Sequence, residues 1–453
     1  LVAASKEYPH ARLLGYEINE RYVEDARERL SSLPAHVEAA DVKVADFFAI
    51  EWERELASTT GHVLITGNPP WVTNAIQSTL GSVNIPDKSN FKGHSGLDAM
   101  TGKSNFDVSE WMILRLLGAL RERPATLAVL CKTAVARRVV EYASRRNWNL
   151  RPGGLWRVDT MRHFRAAVDA VLFVCETGQA RRKRAQWPLF ASIDEDRPSS
   201  TMEVVDGVLV ADVDGLARTV HLEGVSDPEW RSGLKHDCSR VMELGRVGSA
   251  WVNGVGECVD VEEPFVFPLL KSSDVANLGM AEGKARRTRA VIVTQRKIGE
   301  ETSHLRREAP KLWHYLCGHR HAFQARKSAI YRGQPEFAMF GVGPYSFAPW
   351  KVAISGLYKS CSFALVSSRQ DRPVMLDDTC YFLPFDDEGR ARRAHQALTS
   401  TLAADFLAAR VFLDAKRPIS KAVLQKLDLE ALQAALGISG NPMSRPFQQR
   451  LAL

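Results

Sequence analysis

Apolar residues in the first third of the chain fall into short runs that end abruptly in polar or turn-forming residues. Residues 12–18 (RLLGYEI), Val42 to Ala45 and His62 to Thr66 are three such runs, each of the length of a buried strand. The strongly charged stretch from Glu20 to Leu33 between the first two reads as a helix. Further on, Asp107 with Glu110 three positions later forms a capping-box-like start, and Ile113, Leu114, Leu117 and Leu120 recur behind it at helical spacing. A strand (Thr126 to Leu130), a helix (Ala134 to Arg145), a turn at Pro152-Gly153-Gly154 and a strand pair (Leu155 to Asp159, Val168 to Cys175) complete the pattern. Strands alternating with helices specify an α/β unit, a parallel sheet with helices on its faces.

The pattern then changes. Arg181-Arg182-Lys183-Arg184 marks an exit linker, after which short strand-like runs broken by Gly, Pro, Asp and Ser indicate a separate α+β region. From Arg390 onward Ala, Leu and charged residues return at helix spacing. The expected division is residues 1–180, a linker over 181–187, a second domain over 188–385 and a helical tail over 386–453.

Composition narrows the class. With 453 residues, 45% hydrophobic and 25% charged, the chain has the make-up of a globular protein of two or three domains. No apolar run approaches the roughly 18 residues of a membrane-spanning helix. Seven cysteines, none in a CxxC pair, give neither a disulfide framework nor a zinc ribbon, so a reducing cytoplasm is expected. Cys317, His319 and His321 are ligand-type residues with no second cluster, and no metal is expected. The net charge of +7 is unevenly placed: residues 265–370 hold 17 Lys and Arg against 6 Asp and Glu. Basic residues cluster there as Lys284, Arg286, Arg287 and Arg289, as Arg296 and Lys297, and as Arg326, Lys327 and Arg332, with Trp313, Tyr315, Phe323 and Tyr331 interleaved. Such a mixture suits a polyphosphate backbone and base edges; a solvated basic face is the other reading.

Ligands of open parallel sheets sit at the carboxyl ends of the strands, and several of those ends carry usable chemistry. Glu17 can accept two hydrogen bonds from ribose hydroxyls, or serve only as a solvated turn. Asp46 can accept from an exocyclic amine while Phe47 or Phe48 stacks on the base. The sharpest signal is Asn68-Pro69-Pro70-Trp71 directly after HVLIT. Two prolines fix φ and remove two backbone donors, so the turn offers carbonyls and the Asn68 amide oxygen as acceptors. That corner suits an amine donor, and Trp71 supplies a flat face for a heterocycle.

GNPPW after a strand, with GYEIN upstream and ADFF between, resembles the S-adenosylmethionine-dependent DNA adenine-N6 methyltransferases. The order of elements is similar to the gamma class, which includes restriction-modification enzymes. The resemblance implies a Rossmann-like class I methyltransferase sheet followed by a C-terminal target-recognition domain, with S-adenosylmethionine as cofactor and duplex DNA as partner. It implies Glu17 as the ribose-binding acid, Asp46 and Phe47 beside the cofactor adenine, and Asn68, Pro69, Pro70 and Trp71 as the catalytic motif. SNFDVSEW (Ser104 to Trp111) matches the next motif, whose helix packs beside the cofactor's methionine end. Phe164 matches the aromatic on the other face of a flipped adenine. RKSAIY (Arg326 to Tyr331), FGVGPYSFAPWKVAISGLYK (Phe340 to Lys359) and DDTCYF (Asp377 to Phe382) resemble target-recognition segments. They imply Lys351 and Lys359 as DNA contacts beside Arg326, Lys327 and Arg332.

This sequence departs from the family in three ways. Gly15 is the only glycine in the first 60 residues, so the first strand and glycine-rich cofactor loop are expected upstream of Leu1 in a longer reading frame. Unaided, residues 1–453 are then expected to bind the cofactor weakly or not at all. Leu130-Cys131-Lys132-Thr133 stands where relatives often carry a proline. A nuclease constellation is not evident, so a restriction endonuclease is expected as a partner or fused upstream. Two other functions fit less well: methylation of a protein glutamine amide, which a related corner serves, and a DNA-binding specificity module without activity.

Overall fold

The computed structural model describes residues 1–31, 40–71, 107–178, 185–205, 207–279, 289–412 and 417–438. They form two compact units, Leu1–Leu209 and Val210–Leu453.

The first unit opens with α1 (Val2–Glu7), β1 (Leu13–Glu17), α2 (Glu20–Ser31), β2 (Ala40–Val44), α3 (Trp52–Ala57) and β3 (Val63–Gly67). It continues with α4 (Val108–Leu120), β4 (Ala125–Lys132), α5 (Thr133–Arg145), β5 (Arg151–Val158), α6 (Thr160–Phe164) and β6 (Ala170–Thr177). Strands β1 and β2 are a parallel pair, in register from Leu13 with Ala40 to Glu17 with Val44. Helix α2 covers them with Val23, fully buried, and Arg27 donates twice to the Val42 carbonyl, at 3.0 and 2.6 Å. A second sheet begins with β3 parallel to β4, after which β6 runs antiparallel between β4 and β5. Along β4 every second side chain (Ala125, Leu127, Val129, Cys131) is buried, the period of a pleated strand with one face in the core. Helix α4 supplies Ile113, Leu117 and Leu120 to the interior, and α5 supplies Val135, Ala136 and Val139. Arg123, just before β4, donates to the carbonyls of Leu56, Thr59 and Gly61. One guanidinium thus satisfies the orphan carbonyls after α3 and fixes where β3 begins.

Three expectations need revision. Pro152-Gly153-Gly154 is a bulge inside β5, with a register shift between Pro152 and Gly154 against β6. A Cβ on Gly153 would lie 2.7 Å from Val174, so glycine there permits close strand approach instead of reversing the chain. Asp107 does cap α4, accepting the Ser109 N–H at 3.2 Å. Glu110, however, is fully buried and pairs with Arg138 on α5 at 2.5 Å, so it serves helix packing rather than a capping box. Finally, strands Trp187–Phe190, Ser200–Val205 and Val208–Val210 extend the sheet that begins with β3, with Leu155 of β5 registered against Leu189. The first unit therefore reaches about twenty residues beyond the expected linker, and Arg181 to Arg184 lie outside the described residues.

The second unit holds two sheets. One is six-stranded, ordered Cys258–Val259, Ala250–Asn253, Glu243–Val247, Arg289–Ile292, Val266–Leu270 and Met375–Leu376. The other is antiparallel, ordered Arg231–Ser232, Cys380–Phe385, Trp350–Ser355 and Phe363–Ser367. Helices Glu388–Leu398, Thr401–Ala408 and Leu429–Ala435 bury Ala394, Phe406 and Leu432 in one core with Val352, Ile354 and Leu383 of that sheet. The C-terminal helices are thus part of this unit rather than a separate tail. Among the described residues no helix is long and apolar enough to cross a membrane.

Candidate active site

The carboxyl ends of β1 and β2 bring the first group of expected residues together. Glu17 ends β1 opposite Val44, and Asp46 lies two residues past that partner. One Glu17 oxygen accepts the Asn19 N–H at 2.9 Å, and Asp46 Oδ1 accepts the Phe48 N–H at 2.9 Å, so both carboxylates are oriented by their own turns. Phe47 belongs to an aromatic cluster, 4.7 Å from Trp52, 5.9 Å from Phe48 and 6.3 Å from Trp111 between ring centroids. Two partly exposed carboxylates and an aromatic wall at adjacent strand ends fit a nucleoside, whose ribose needs acceptors and whose base needs a flat neighbour.

The second group sits at the ends of β3 and β4. Gly67, the last residue of β3, is registered with Val129, which places Asn68 at the strand's carboxyl end. Asn68 is exposed and has no hydrogen-bond partner among the described residues. The Trp71 indole N–H donates to the Leu130 carbonyl at 3.4 Å. Lys132 Nζ donates to the Trp71 carbonyl at 2.7 Å and pairs with Asp107 at 2.6 Å. Phe164, the last residue of α6 and 46% exposed, meets Trp71 edge to face with centroids 5.8 Å apart and planes at 76°. The two rings are neighbours, yet in this conformation they occupy the space that a base between them would need.

Helix α4 links the two groups. Its cap Asp107 lies at the Trp71 corner, while Trp111, one turn on, packs on Phe47 and on Phe48 at 5.1 Å. Arg115 adds a two-pronged pair with Glu53 at 2.8 and 2.9 Å. Of SNFDVSEW, Ser104 to Phe106 lie outside the described residues. Residue-level reading did not single out Lys132; a cation at the carboxyl end of a strand beside a donor-free turn was the available signal.

The basic segment of the second unit divides sharply. Lys327, Arg332 and Lys359 are exposed. Arg326 is partly buried: it donates to the carbonyls of Phe323 (3.0 Å), His236 (3.4 Å) and Ala338 (2.6 Å) and lies 3.7 Å over the Tyr331 ring. Lys351 is 2% exposed, donates to the Ala348 carbonyl at 2.7 Å and faces the Phe382 ring at 5.8 Å. Burial lowers its pKa to about 7. Lys351 is therefore corrected from a DNA contact to an internal cation, while Arg326 is partly buried and committed to three carbonyls of its own unit. Of the interleaved aromatics, Phe323 is buried, and Trp313 and Tyr315 are partly buried and engaged within the unit. Phe323 is 5% exposed, Trp313 packs on Phe337, and the Tyr315 hydroxyl donates to the Val241 carbonyl at 2.8 Å. Lys284, Arg286 and Arg287 lie outside the described residues. His319 is held by Glu257 (2.8 Å) and the Tyr315 carbonyl (2.9 Å), and among the described residues no group of three ligand-type side chains is placed to hold a metal.

If the exposed cations meet a phosphate backbone, Lys327→Ala with Arg332→Ala should reduce the slope of log K against log salt by about 2, near 0.9 per contact. Arg326→Ala should instead lower thermal stability and leave that slope unchanged. Equilibrium titrations of duplex DNA across salt concentrations, beside melting curves, separate the two; an equal slope change from Arg326→Ala would return it to the surface set.

The chain belongs to the type II methyltransferase family. It is 42% identical over 436 residues to the type II methyltransferase M.NspV of Nostoc sp. (strain ATCC 29411 / PCC 7524), covering 95% of this chain and 88% of that protein. No family model matches the chain. Among solved structures, the type IIL restriction-modification enzyme MmeI in complex with DNA aligns over 97% of this chain and 66% of its own, at 13% identity and a TM-score of 0.47. The type IIG restriction endonuclease BpuSI aligns over 91% of this chain and 52% of its own, at 13% identity and a TM-score of 0.36. The family assignment rests on the sequence relative.

Proposed function

We propose that the chain is a site-specific DNA methyltransferase of a restriction-modification system that transfers a methyl group from S-adenosylmethionine to adenine N6 in duplex DNA. The observation that carries this reading is the corner Asn68-Pro69-Pro70-Trp71 at the carboxyl end of β3, fastened to β4 and adjoined by Phe164. Glu17, Asp46 and Phe47 would hold the nucleoside part of the cofactor, which when bound supplies an electrophilic methyl group on a sulfonium. Everything else falls to the chain. The Asn68 side-chain oxygen and the Pro69 carbonyl accept from the two N–H bonds of an adenine N6, which keeps its lone pair directed at the methyl carbon. As N6 gains positive charge, those fixed acceptors stabilise it more than they stabilise the neutral amine; the N6–CH3 bond would form as the sulfonium C–S bond breaks to a neutral thioether, and one N6 proton would then pass to solvent. A base reaches this corner only after leaving the stack, and Trp71 and Phe164 offer it two aromatic faces once their edge-to-face contact opens. The exposed Lys327, Arg332 and Lys359 would hold the phosphates.

The test is transfer of labelled methyl groups from S-adenosylmethionine to duplex DNA and to protein, followed by nucleoside and amino-acid digestion. Label in N6-methyladenine is expected. Label in glutamine would favour the protein substrate, and tight DNA binding without transfer would leave a specificity module.

The clamp has its own readout. With 2-aminopurine at the target position, extrusion should raise fluorescence, and the two rings should then quench it. Trp71→Ala and Phe164→Ala should each raise the final signal and weaken binding of the extruded base by roughly 1 to 3 kcal/mol. A signal unaltered by Phe164→Ala would remove that residue from the site.

A further inference from the structure

We propose that Lys132 is the positioning residue of the acceptor corner, its ammonium fixing where Asn68 stands relative to the cofactor side of the site. The inference rests on the reading of Asn68 given above. Pro69 and Pro70 have no backbone N–H, so the turn cannot hydrogen-bond itself to β4 through those residues. Besides the Trp71 indole, it is held by donors that come to its carbonyls. Lys132, the last residue of β4, is such a donor: Nζ lies 2.7 Å from the Trp71 carbonyl oxygen. The same ammonium pairs with Asp107 Oδ2 at 2.6 Å, and Asp107 is only 4% exposed. The other oxygen of Asp107 accepts the Ser109 hydroxyl at 2.6 Å and backbone N–H at 3.2 Å, so the carboxylate cannot swing without giving up the cap of α4. Trp71 is thus gripped at two points by one strand, its carbonyl by Lys132 and its indole by Leu130.

Trp71 and Asp107 also flank residues 72–106 in the sequence, so one cation holds both ends of that segment. Because Asp107 caps the helix whose Trp111 packs on Phe47 and Phe48, the ammonium joins the acceptor corner to the aromatic wall of the nucleoside side. A displacement of the corner by about 1 Å can cost up to a hundredfold in rate, and Lys132 is where this chain spends a charge to prevent it. Lys132 touches neither substrate nor cofactor in this scheme; it acts through the Trp71 backbone.

The full chain labelled with 5-fluorotryptophan reports on this hold directly, with the Trp71 resonance identified by its loss in Trp71→Phe. Lys132→Met, which keeps length and removes the donor, should shift or broaden the Trp71 line while leaving that of the buried Trp230 in place. It should lower kcat at least about tenfold with KM for DNA within twofold, and Lys132→Arg should restore both readouts. Should Lys132→Met fail to fold, Asp107→Asn, which weakens the pair and keeps the cap acceptor, should move the same line. An unmoved Trp71 line, or a folded Lys132→Met with full kcat, overturns the proposal. If the unsubstituted protein methylates no DNA, the reading of Asn68 fails, while the fluorine spectra still decide whether Lys132 holds the corner.

Discussion

Asn68→Ala is expected to lower methyl transfer at least about a hundredfold while leaving the melting temperature and DNA affinity where they were. The side chain is exposed and has no hydrogen-bond partner among the described residues, so its removal leaves no buried group unsatisfied and opens no cavity. What is lost is one fixed acceptor for an amine that gains charge during transfer, and an oriented polar group of that kind is typically worth about 3 kcal/mol at the transition state. Single-turnover methylation with enzyme in excess over DNA isolates the chemical step. Activity within tenfold of the unsubstituted protein would mean that another group holds the amine.

Lys351→Met should stabilise the protein near neutral pH by roughly 1 to 4 kcal/mol, the range seen when buried charges give way to apolar side chains. Burial brings the Lys351 pKa down from 10.5 to about 7, because the Ala348 carbonyl and the Phe382 ring replace only part of the water an ammonium requires. Below pH 7 the folded and unfolded chains both carry the proton, and the cost of burying the charge is present in full. Between about pH 7 and 10.5 the unfolded chain keeps a proton that the folded chain has released, so stability rises with pH across that window and then levels off. In Lys351→Met this contribution to the rise should vanish. Urea midpoints at pH 6.5 and 9.5 for both proteins measure it; a variant less stable at pH 6.5 would show that the carbonyl and ring contacts outweigh desolvation.

The strands were legible wherever an apolar run stopped at a polar residue, as at Glu17, at Asp46 just past β2, and at Asn68, although they are less buried than those runs suggest: β1 and β2 bury only Leu13 and Val42, and β3 buries no residue. The same runs located the acceptor corner, whose residue types are tied to its chemistry. Residues 152–154 misled because glycine and proline permit both a turn and a bulge, and only the close approach of Val174 decides between them. The direction of a cation was equally hidden. Arg326 and Lys327 are adjacent, yet one is drawn inward by the carbonyls of Phe323, His236 and Ala338 and the other remains exposed. Lys351 sits in a strand whose residues from Lys351 to Ser355 are all buried, so no alternation betrays its environment. Lys132 was harder to single out for a related reason: one of its acceptors is a backbone carbonyl, which any residue could have supplied.

The pairing of β4 with β6 runs unbroken over eight residues, from Ala125 with Thr177 to Lys132 with Ala170, while β1 and β2 share five, only two of which, Leu13 and Val42, are buried. Local opening draws first on segments with few buried contacts and little ladder to break, so the amide protons of residues 13–17 and 40–44 exchange with solvent well before those of 125–132. The two halves of the site thus belong to cooperative units of unequal strength. Under mild denaturant the ends of β1 and β2, with Glu17 and the Asp46 turn, should be released while the strand supporting the acceptor corner remains folded.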